Sequence, residues 1–187
     1  MGNITILEKD PSSDLFKIIN TIDAHSAQIS HIHYNKDIKC FVTSSYDGFA
    51  SLYRVPKCEV VNSYKISTER ISNTFISNSP VPCIVSFIST KKQLITIGIN
   101  NRKVLHEFVE ENPILSPIIV KDGNQFDYLI YISNFKDFSV MQLPELEKVL
   151  NIQTGIELFL LSFNLSTKTI IGYNDDGSRI AMVKWKK

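Results

Sequence analysis

A short run of β-branched and aromatic residues recurs four times in this chain at a nearly constant spacing. The runs begin at Cys40, Cys83, Tyr128 and Thr169, so that successive starts lie 43, 45 and 41 residues apart. Sequence periods of about 40–45 residues are typical of the four-stranded blades of β-propellers. The period therefore predicts an all-β fold, namely a β-propeller of four-stranded antiparallel blades.

Each of these anchor runs is flanked by further strand-like segments in the same order. Inner runs precede the anchors at 28–34, 71–77, 114–120 and 156–163, and a further run follows each anchor at 49–55, 93–99, 138–143 and 178–184. Outer runs complete three repeats at 58–66, 103–109 and 146–152. Short runs rich in Ile, Val, Phe and Tyr, separated by polar turns, indicate an antiparallel meander. Because no 3.6-residue period is sustained, we predict few helices.

The repeat length indicates that the chain holds about four blades. We predict one propeller segment over residues 1–187, with blades near 1–24 (partial), 25–67, 68–111, 112–153 and 154–187 (partial). A seven-blade ring needs on the order of 300 residues at this period. We therefore expect part of a larger, seven-blade propeller. The alternative is a small four-blade ring, because the final repeat ends at Trp185 without an outer strand and residues 4–7 and 16–22 look like two strands that would complete it.

Composition and charge argue against several classes of protein. Hydrophobic residues make up 43% of the chain and charged residues 21%, which is ordinary globular usage. The net charge of +1 gives no long-range field to recruit nucleic acid, and no apolar window approaches the ~18 residues of a membrane span. Three cysteines without a CxxC pair and an N-terminus unlike a signal peptide favour a reducing compartment. We expect a cytoplasmic protein that neither binds nucleic acid nor inserts into a membrane.

The first full repeat resembles a WD40 repeat. His25 precedes the inner strand, and residues 42–53 match the Ser-x-Asp-Gly turn of that family and the strand that follows it. In WD40 repeats a buried network joins a His, a Ser or Thr, the turn Asp and a Trp. The resemblance implies the corresponding set here: His25, Ser45 or Thr43, Asp47, and Tyr53 in place of Trp. Its role is structural, since an ionised Asp in a tight turn needs hydrogen-bond donors.

The two middle repeats resemble the C-terminal WD40-like propeller of BEACH-domain proteins, the neurobeachin-like family. The likeness lies in residues 74–85, 98–105, 126–129 and 143–147, with Asn101 where the family has Gly. Asn tolerates the left-handed backbone better than most residues, so this departure is mild. The resemblance implies a non-catalytic scaffold for protein–protein interaction with a role in membrane and vesicle trafficking. It also implies association with endomembranes through protein partners.

Patterns that would carry catalysis or hold a metal are missing from the sequence. It has no nucleophile elbow, Gly-rich phosphate loop or Cys–His motif, so we predict no catalytic residue and no cofactor. His31 and His33 share a strand face without a third ligand placed to complete a metal site, and His106 favours an exposed ion pair. Asp175-Asp176-Gly177 lacks the EF-hand spacing and predicts a β-turn. We therefore predict no metal site.

The function that we expect is protein binding through the loops that connect the strands. Candidate contacts are the turns after the anchor runs and the loops at 25–27, 69–71, 112–114 and 154–155. One alternative is a WD40 adaptor of another assembly, such as a ubiquitin ligase or signalling complex, which would show WD40 signatures in every repeat. A second alternative is a small propeller enzyme, which would bring together His31, His33, His106 and an acid.

Overall fold

The protein is all-β in its computed structural model, which describes residues 1–78, 80–121, 126–164 and 166–184. The strands form antiparallel sheets, and the only helical element among the described residues is the 3-10 turn Ser89–Lys91. The predictions of an all-β fold and of few helices are confirmed. Trp185 lies outside the described residues. The chain divides into two compact parts, Met1–Thr74 and Phe75–Lys187.

The part Met1–Thr74 contains a two-stranded ribbon and a four-stranded sheet. The ribbon pairs β1 (Gly2–Lys9) with β2 (Phe16–His25). The sheet has the order β3 (Ile29–Asn35), β4 (Cys40–Ser45), β5 (Phe49–Arg54), β6 (Glu59–Lys65). Every residue of β4 is buried, whereas most of β6 is exposed. A strand that is buried on both faces does not alternate polar and apolar residues. This explains why the buried segment that begins at Cys40 is continuous.

The part Phe75–Lys187 contains two four-stranded sheets and one three-stranded sheet. The first sheet has the order β7 (Asn73–Ser77), β8 (Cys83–Ile88), β9 (Gln93–Gly98), β10 (Val104–Val109). The second has the order β11 (Ile114–Lys121), β12 (Asp127–Ser133), β13 (Asp137–Gln142), β14 (Glu147–Gln153). The third is β15 (Leu160–Asn164), β16 (Thr169–Tyr173), β17 (Ile180–Lys184). Each sheet is therefore a meander, as the sequence runs predict.

Two hydrophobic cores lie on either side of the sheet β11–β14. One core includes Leu129 and Tyr131 of β12 together with residues of β8 and β9. The other includes Ile130 and Ile132 of β12 together with residues of β15 and β16. Successive residues of a strand point to opposite faces, so adjacent residues of β12 enter different cores. Burial on both faces accounts for the unbroken apolar sequence of this strand.

Two inner strands begin later than the sequence predicts. β7 begins at Asn73 and not at Ile71, because the Ile71 N–H donates to the Ser45 carbonyl at 3.3 Å. β15 begins at Leu160 and not at Ile156, because the Leu158 N–H donates to the Phe135 carbonyl at 2.6 Å. In both cases a loop hydrogen bond replaces the first hydrogen bonds between the predicted strand and its neighbour.

The turn between the third and fourth strands has the same backbone feature in all three four-stranded sheets. Cys58, Arg102 and Leu146 have φ angles of 55°, 58° and 58°, in the left-handed region that residues other than glycine rarely adopt. The resemblance to BEACH propellers suggested Asn101 for this position, but Arg102 takes it. The Asn101 Oδ1 atom instead accepts a hydrogen bond from the Lys103 N–H at 3.1 Å. The shared left-handed residue marks a structural repeat.

Candidate protein-binding surface

The turn Tyr46–Gly48 joins β4 to β5 at one end of the first four-stranded sheet. Gly48 has a φ of 78°, and a Cβ at this position would collide with the Ser67 carbonyl oxygen, so glycine is required. The Gly48 carbonyl accepts hydrogen bonds from the N–H groups of Ile66 and Ser67 at 3.0 and 3.2 Å. The turn is thereby fixed to the loop that follows β6.

Asp47 anchors this turn through its carboxylate. The Oδ2 atom lies 3.1 Å from Nδ1 of His25 and accepts a hydrogen bond from the Ser26 N–H at 3.0 Å. The Oδ1 atom accepts a hydrogen bond from the Phe49 N–H at 2.9 Å. Burial alone would raise the pKa of Asp47, but these hydrogen bonds and the charge of His25 outweigh burial and hold the pKa below its usual value. The carboxylate therefore stays ionised at neutral pH.

His25 is buried and links Asp47 to Thr43 of β4. The Nε2 atom of His25 lies 2.8 Å from the Thr43 hydroxyl. Of the two hydroxyls that the sequence left open, it is Thr43 and not Ser45 that contacts the histidine. The Ser45 hydroxyl instead accepts a hydrogen bond from the Asp47 N–H at 3.1 Å. Ser45 thus stabilises the turn directly, as Ser does in many tight turns.

Tyr53 belongs to the same buried network through its contact with Thr43. Its ring is almost fully buried and stacks on Phe41, with the ring centroids 4.8 Å apart. Burial raises the pKa of the Tyr53 hydroxyl, while hydrogen bonding to Ser51 and Thr43 acts in the opposite direction. The structure thus connects His25, Asp47, Thr43 and Tyr53 through successive contacts. This arrangement fixes the end of the sheet.

Three loops meet around the turn and form what we call the Asp47 surface, made of Ser26, Tyr46, Phe49, Lys65 and Arg70. The guanidinium of Arg70 lies 5.0 Å from the ring centroid of Tyr46, and Nζ of Lys65 lies 4.4 Å from that of Phe49. Tyr46 is 39% exposed. A cleft of about 280 Å³ adjoins this surface, lined by Asp23, Ala24, His25, Ser26, Asp47, Phe49 and Ser63.

The other predicted contact loops lie in Phe75–Lys187, where they precede β11 and β15. Thr154 closes the second of these loops, because its hydroxyl donates to the Lys136 carbonyl at 2.6 Å. Gly155 follows with a φ of 72° and no atom near its missing Cβ. In contrast to the Asp47 surface, no cationic side chain lies over an aromatic ring among the described residues of these loops.

The histidines and acidic residues considered for metal binding have other contacts. Nδ1 of His31 lies 2.9 Å from the Thr74 carbonyl, and burial lowers the pKa of His31. The exposed His106 donates its backbone N–H to the Thr96 hydroxyl at 3.1 Å. Asp176 accepts the Ser178 N–H at 2.8 Å, so that the Asp-Gly segment is a turn. Within the described residues, no group of three or more His, Cys, Asp or Glu side chains is close enough to hold a metal ion.

Two buried acidic groups in Phe75–Lys187 were not predicted from the sequence. Glu110 accepts a hydrogen bond from the Tyr131 hydroxyl at 2.7 Å and lies 2.8 Å from Nζ of Lys148. Asp127 accepts hydrogen bonds from the Ser77 hydroxyl at 2.7 Å and from the Asn78 N–H at 3.2 Å. The sequence signal that could have found Glu110 is the tyrosine within the apolar run of β12, because a buried tyrosine hydroxyl needs a hydrogen-bond partner.

Cys83 shares the Asp127 environment, but it is not poised to react. It is fully buried, and burial raises the pKa of its thiol to about 12. A thiol with such a raised pKa has almost no thiolate at neutral pH and is a poor nucleophile. Cys83 therefore serves as a core residue.

Comparison with known proteins supports the fold and gives no family. No protein family model matches the sequence, and no curated protein matches it. A similar solved structure is the crystal structure of the computationally designed Ika4 protein, with a TM-score of 0.66 and 11% sequence identity. The similarity covers 87% of this chain and 94% of that chain. In class, the protein is thus an all-β protein of successive antiparallel sheets. None of its described residues belongs to a helix of the length and hydrophobicity that would span a membrane.

Proposed function

We propose that the chain is part of a β-propeller, in which each four-stranded sheet is one blade and the whole ring has seven. Three features support this proposal: the 41–45-residue spacing of the anchor runs, the meander order of each sheet, and the left-handed residue shared by Cys58, Arg102 and Leu146. Fully buried second strands, such as β4 and β8, and exposed outer strands, such as β6 and β14, also fit blades arranged around an axis.

We propose that the protein is a non-catalytic scaffold that binds other proteins through the Asp47 surface. The observation that carries this proposal is that Tyr46 and Arg70 are exposed, that the Arg70 guanidinium lies over the Tyr46 ring, and that Tyr46 belongs to the turn that the Asp47 carboxylate anchors. Tyr and Arg are among the residues enriched at the energetic centres of protein interfaces. A side chain that is ordered before binding loses less entropy when the partner arrives.

The resemblance to BEACH propellers adds a cellular setting to this proposal. We infer a cytoplasmic role in membrane and vesicle trafficking, with attachment to endomembranes through protein partners and not through insertion. The loops of the other sheets would widen the interface, because loops on a rigid scaffold are the usual place for binding residues. No nucleic acid is part of the proposed function.

Affinity purification of the tagged full chain from cells tests the proposed surface. Tyr46→Ala combined with Arg70→Ala removes the stacked pair, whereas Tyr34→Ala combined with Arg54→Ala removes the same residue types from exposed positions elsewhere in the sheet β3–β6. We expect the first variant to lose at least one bound protein by about tenfold or more, because interface centres of this kind dominate affinity. The control variant keeps the wild-type set. Equal recovery by both variants would exclude the Asp47 surface.

A second candidate is a WD40 adaptor of another assembly. The observation that favours it is the chain of contacts through His25, Asp47, Thr43 and Tyr53, which is the arrangement expected of a WD40 repeat in general. The same purification separates the two candidates. Vesicle or endosome components among the surface-dependent proteins support the trafficking role, and ubiquitin-ligase or signalling components support the adaptor.

A further inference from the structure

The third and fourth strands pair in the same register in all three four-stranded sheets. In each pair, a bulge leaves one aliphatic residue of the fourth strand without a partner, and a large apolar or aromatic residue follows three positions later. The unpaired residues are Val61, Leu105 and Val149, and the residues that follow them are Tyr64, Phe108 and Ile152. The ribbon β1–β2 repeats the pattern, with Ile19 unpaired and Ile22 three positions later. Such recurring bulges are structural features and not defects.

The sheet β15–β17 has no fourth strand among the described residues. β17 pairs with β16, and the described part of Phe75–Lys187 places no strand along its other edge. Residues 180–183 carry no charge, proline or bulge, which are the usual means of blocking an edge strand. The edge of β17 is therefore open to pairing with a further strand.

Two apolar side chains of β17 are exposed where their equivalents are buried. When the sheets are aligned on their second strands, Ile180 is equivalent to Ala50, Leu94 and Phe138, and Met182 is equivalent to Leu52, Thr96 and Val140. Ile180 is 60% and Met182 is 72% exposed, whereas none of these equivalents is more than 1% exposed. Part of the cover at the equivalents of Ile180 comes from the fourth strand, because Tyr64, Phe108 and Ile152 lie directly opposite them.

The charge at the end of β17 adds a second requirement for the missing strand. Lys184 is exposed and occupies the position that Arg54 has in the sheet β3–β6. Arg54 lies opposite Glu59, the first residue of β6, and β14 likewise begins with a glutamate, Glu147. Opposite charges that face each other across two strands stabilise the pairing. A glutamate at the start of the missing strand would face Lys184 in the same way.

We propose that β17 binds an extended segment of a partner protein, which adds to the sheet as an antiparallel fourth strand. The segment has a glutamate opposite Lys184, an aliphatic residue two positions later, and a large apolar residue three positions after that, opposite Ile180. Recognition of this kind takes its affinity from main-chain hydrogen bonds and its specificity from alternate side chains. The inference rests on the blade repeat of the proposed function and is independent of the Asp47 surface.

A synthetic peptide with the sequence of residues 146–154 is the probe for this edge, because it carries Glu147, Val149 and Ile152 at the required spacing. Fluorescence anisotropy of the labelled peptide measures its binding to the full chain. We expect saturable binding that Ile180→Lys weakens about fivefold. Val60→Lys is the matched control, since Val60 is an aliphatic residue of β6 with 59% exposure, and it keeps wild-type binding.

Charge exchange tests the register of the bound peptide. A peptide with Glu147→Lys should bind the wild-type chain about threefold more weakly and regain its affinity for the Lys184→Glu chain. Hydrogen exchange measured by mass spectrometry locates the site. The original peptide should slow exchange in fragments that cover residues 178–184 and leave β3–β6 unchanged.

The absence of saturable binding would overturn the proposal. So would equal effects of Ile180→Lys and Val60→Lys, or a charge exchange that does not restore binding. If β17 exchanges slowly without peptide, and more slowly as the chain is concentrated, the edge belongs to a second copy and the partner segment is ruled out. If the peptide fails while Tyr46→Ala with Arg70→Ala still loses bound proteins, this inference alone is wrong.

Discussion

Asp47 and Glu110 are two shielded carboxylates that the protein stabilises in different ways. The donors to Asp47 are His25, Ser26 and Phe49, of which Ser26 and Phe49 contribute backbone N–H groups. The partners of Glu110 are the side chains of Tyr131 and Lys148, which lie 21 and 38 positions further along the chain. The first carboxylate thus organises a turn mainly through backbone N–H groups, whereas the second connects strands through side chains.

The two sites nevertheless have the same electrostatic result. Burial would raise the pKa of both carboxyls, yet hydrogen bonds and a neighbouring charge lower the pKa of each below its ordinary value. For Glu110 the neighbouring charge is the Lys148 ammonium, which also lies 5.6 Å from the ring centroid of Phe108. Tyr131 responds in the opposite sense, because burial and the adjacent Glu110 raise its pKa. The comparison shows that one requirement, an ionised and shielded acid, is met at a turn mainly by backbone N–H groups and between strands by side chains.

The largest expected effect is loss of the Lys148 partner of Glu110. In Lys148→Ala the buried Glu110 keeps the Tyr131 hydroxyl as a donor but loses the neighbouring ammonium. We expect a loss of about 2–4 kcal/mol in the free energy of unfolding, below the upper range for buried pairs because Lys148 is one-third exposed. Urea unfolding followed by circular dichroism measures it. Lys9→Ala, which breaks the exposed Lys9–Asp14 pair, is the control and changes stability by about 0.5 kcal/mol or less. Equal effects of both variants would contradict the account of Glu110.

Loss of the Asp47 carboxylate has a somewhat smaller expected effect on the free energy of unfolding. Asp47→Ala leaves the Ser26 and Phe49 N–H groups and His25 without their acceptor, at a cost of about 2 kcal/mol. Asp47→Asn keeps one side-chain carbonyl oxygen and should lose about half as much. The same urea unfolding experiment compares the two variants. If Asp47→Ala is as stable as the wild type, the carboxylate does not hold the turn.

Substitutions at Thr43 and Ser45 should change the free energy of unfolding by smaller amounts. The order of the two losses identifies the hydroxyl that belongs to the network. Thr43→Val keeps the shape of the side chain but leaves Nε2 of the buried His25 unpaired, so we expect a loss of about 1–2 kcal/mol. Ser45→Ala removes one hydrogen bond at the more exposed turn and should cost less than about 1 kcal/mol. Thermal unfolding of both variants measures the order. The reverse order would favour Ser45 as the member of the network.

The prediction of the repeat from the sequence succeeded where the pattern is local. The bounds of β4 and β8 agree with their anchor runs, because strands buried on both faces are continuous apolar segments. The resemblance to a WD40 repeat implied a contact between His25 and Asp47, and the structure places these side chains 3.1 Å apart. The choice between Thr43 and Ser45 could not be made, since residues two apart share a strand face and only the turn geometry shows that Ser45 bonds Asp47.

The contacts of Glu110 could not be predicted from the sequence. Glu110 occurs in an acidic segment with Glu107 and Glu111, and nothing in that segment indicates which of the three is buried. The answer depends on the register of β12 and β14, which brings Tyr131 and Lys148 to it. Likewise, the later start of β7 depends on a hydrogen bond from the Ile71 N–H to β4, which is a strand of another sheet. Tertiary hydrogen bonds of this kind have no signature in a single segment.

The smallest expected effect concerns pH. The lowered pKa of Glu110 means that the folded state binds its proton less readily than the unfolded chain, so the stabilisation is present above the ordinary value of 4.5 and is lost as pH falls through the folded pKa. We therefore expect Glu110→Gln to differ most from the wild type above about pH 5 and to converge with it in more acidic solution. Urea midpoints measured over this range check the sign. A difference that grows on acidification would contradict it.

Hydrogen exchange measured by mass spectrometry tests the central claim, that the Asp47 carboxylate holds together the loops of the proposed binding surface. In the wild type, the amides of Ser26, Phe49 and Ile66 have acceptors around the turn and should exchange slowly. The account predicts that Asp47→Ala speeds exchange in peptides that cover residues 24–30, 45–50 and 64–72 and leaves β12 and β13 unchanged. Unaltered exchange in those three peptides, or faster exchange throughout the chain, would contradict it.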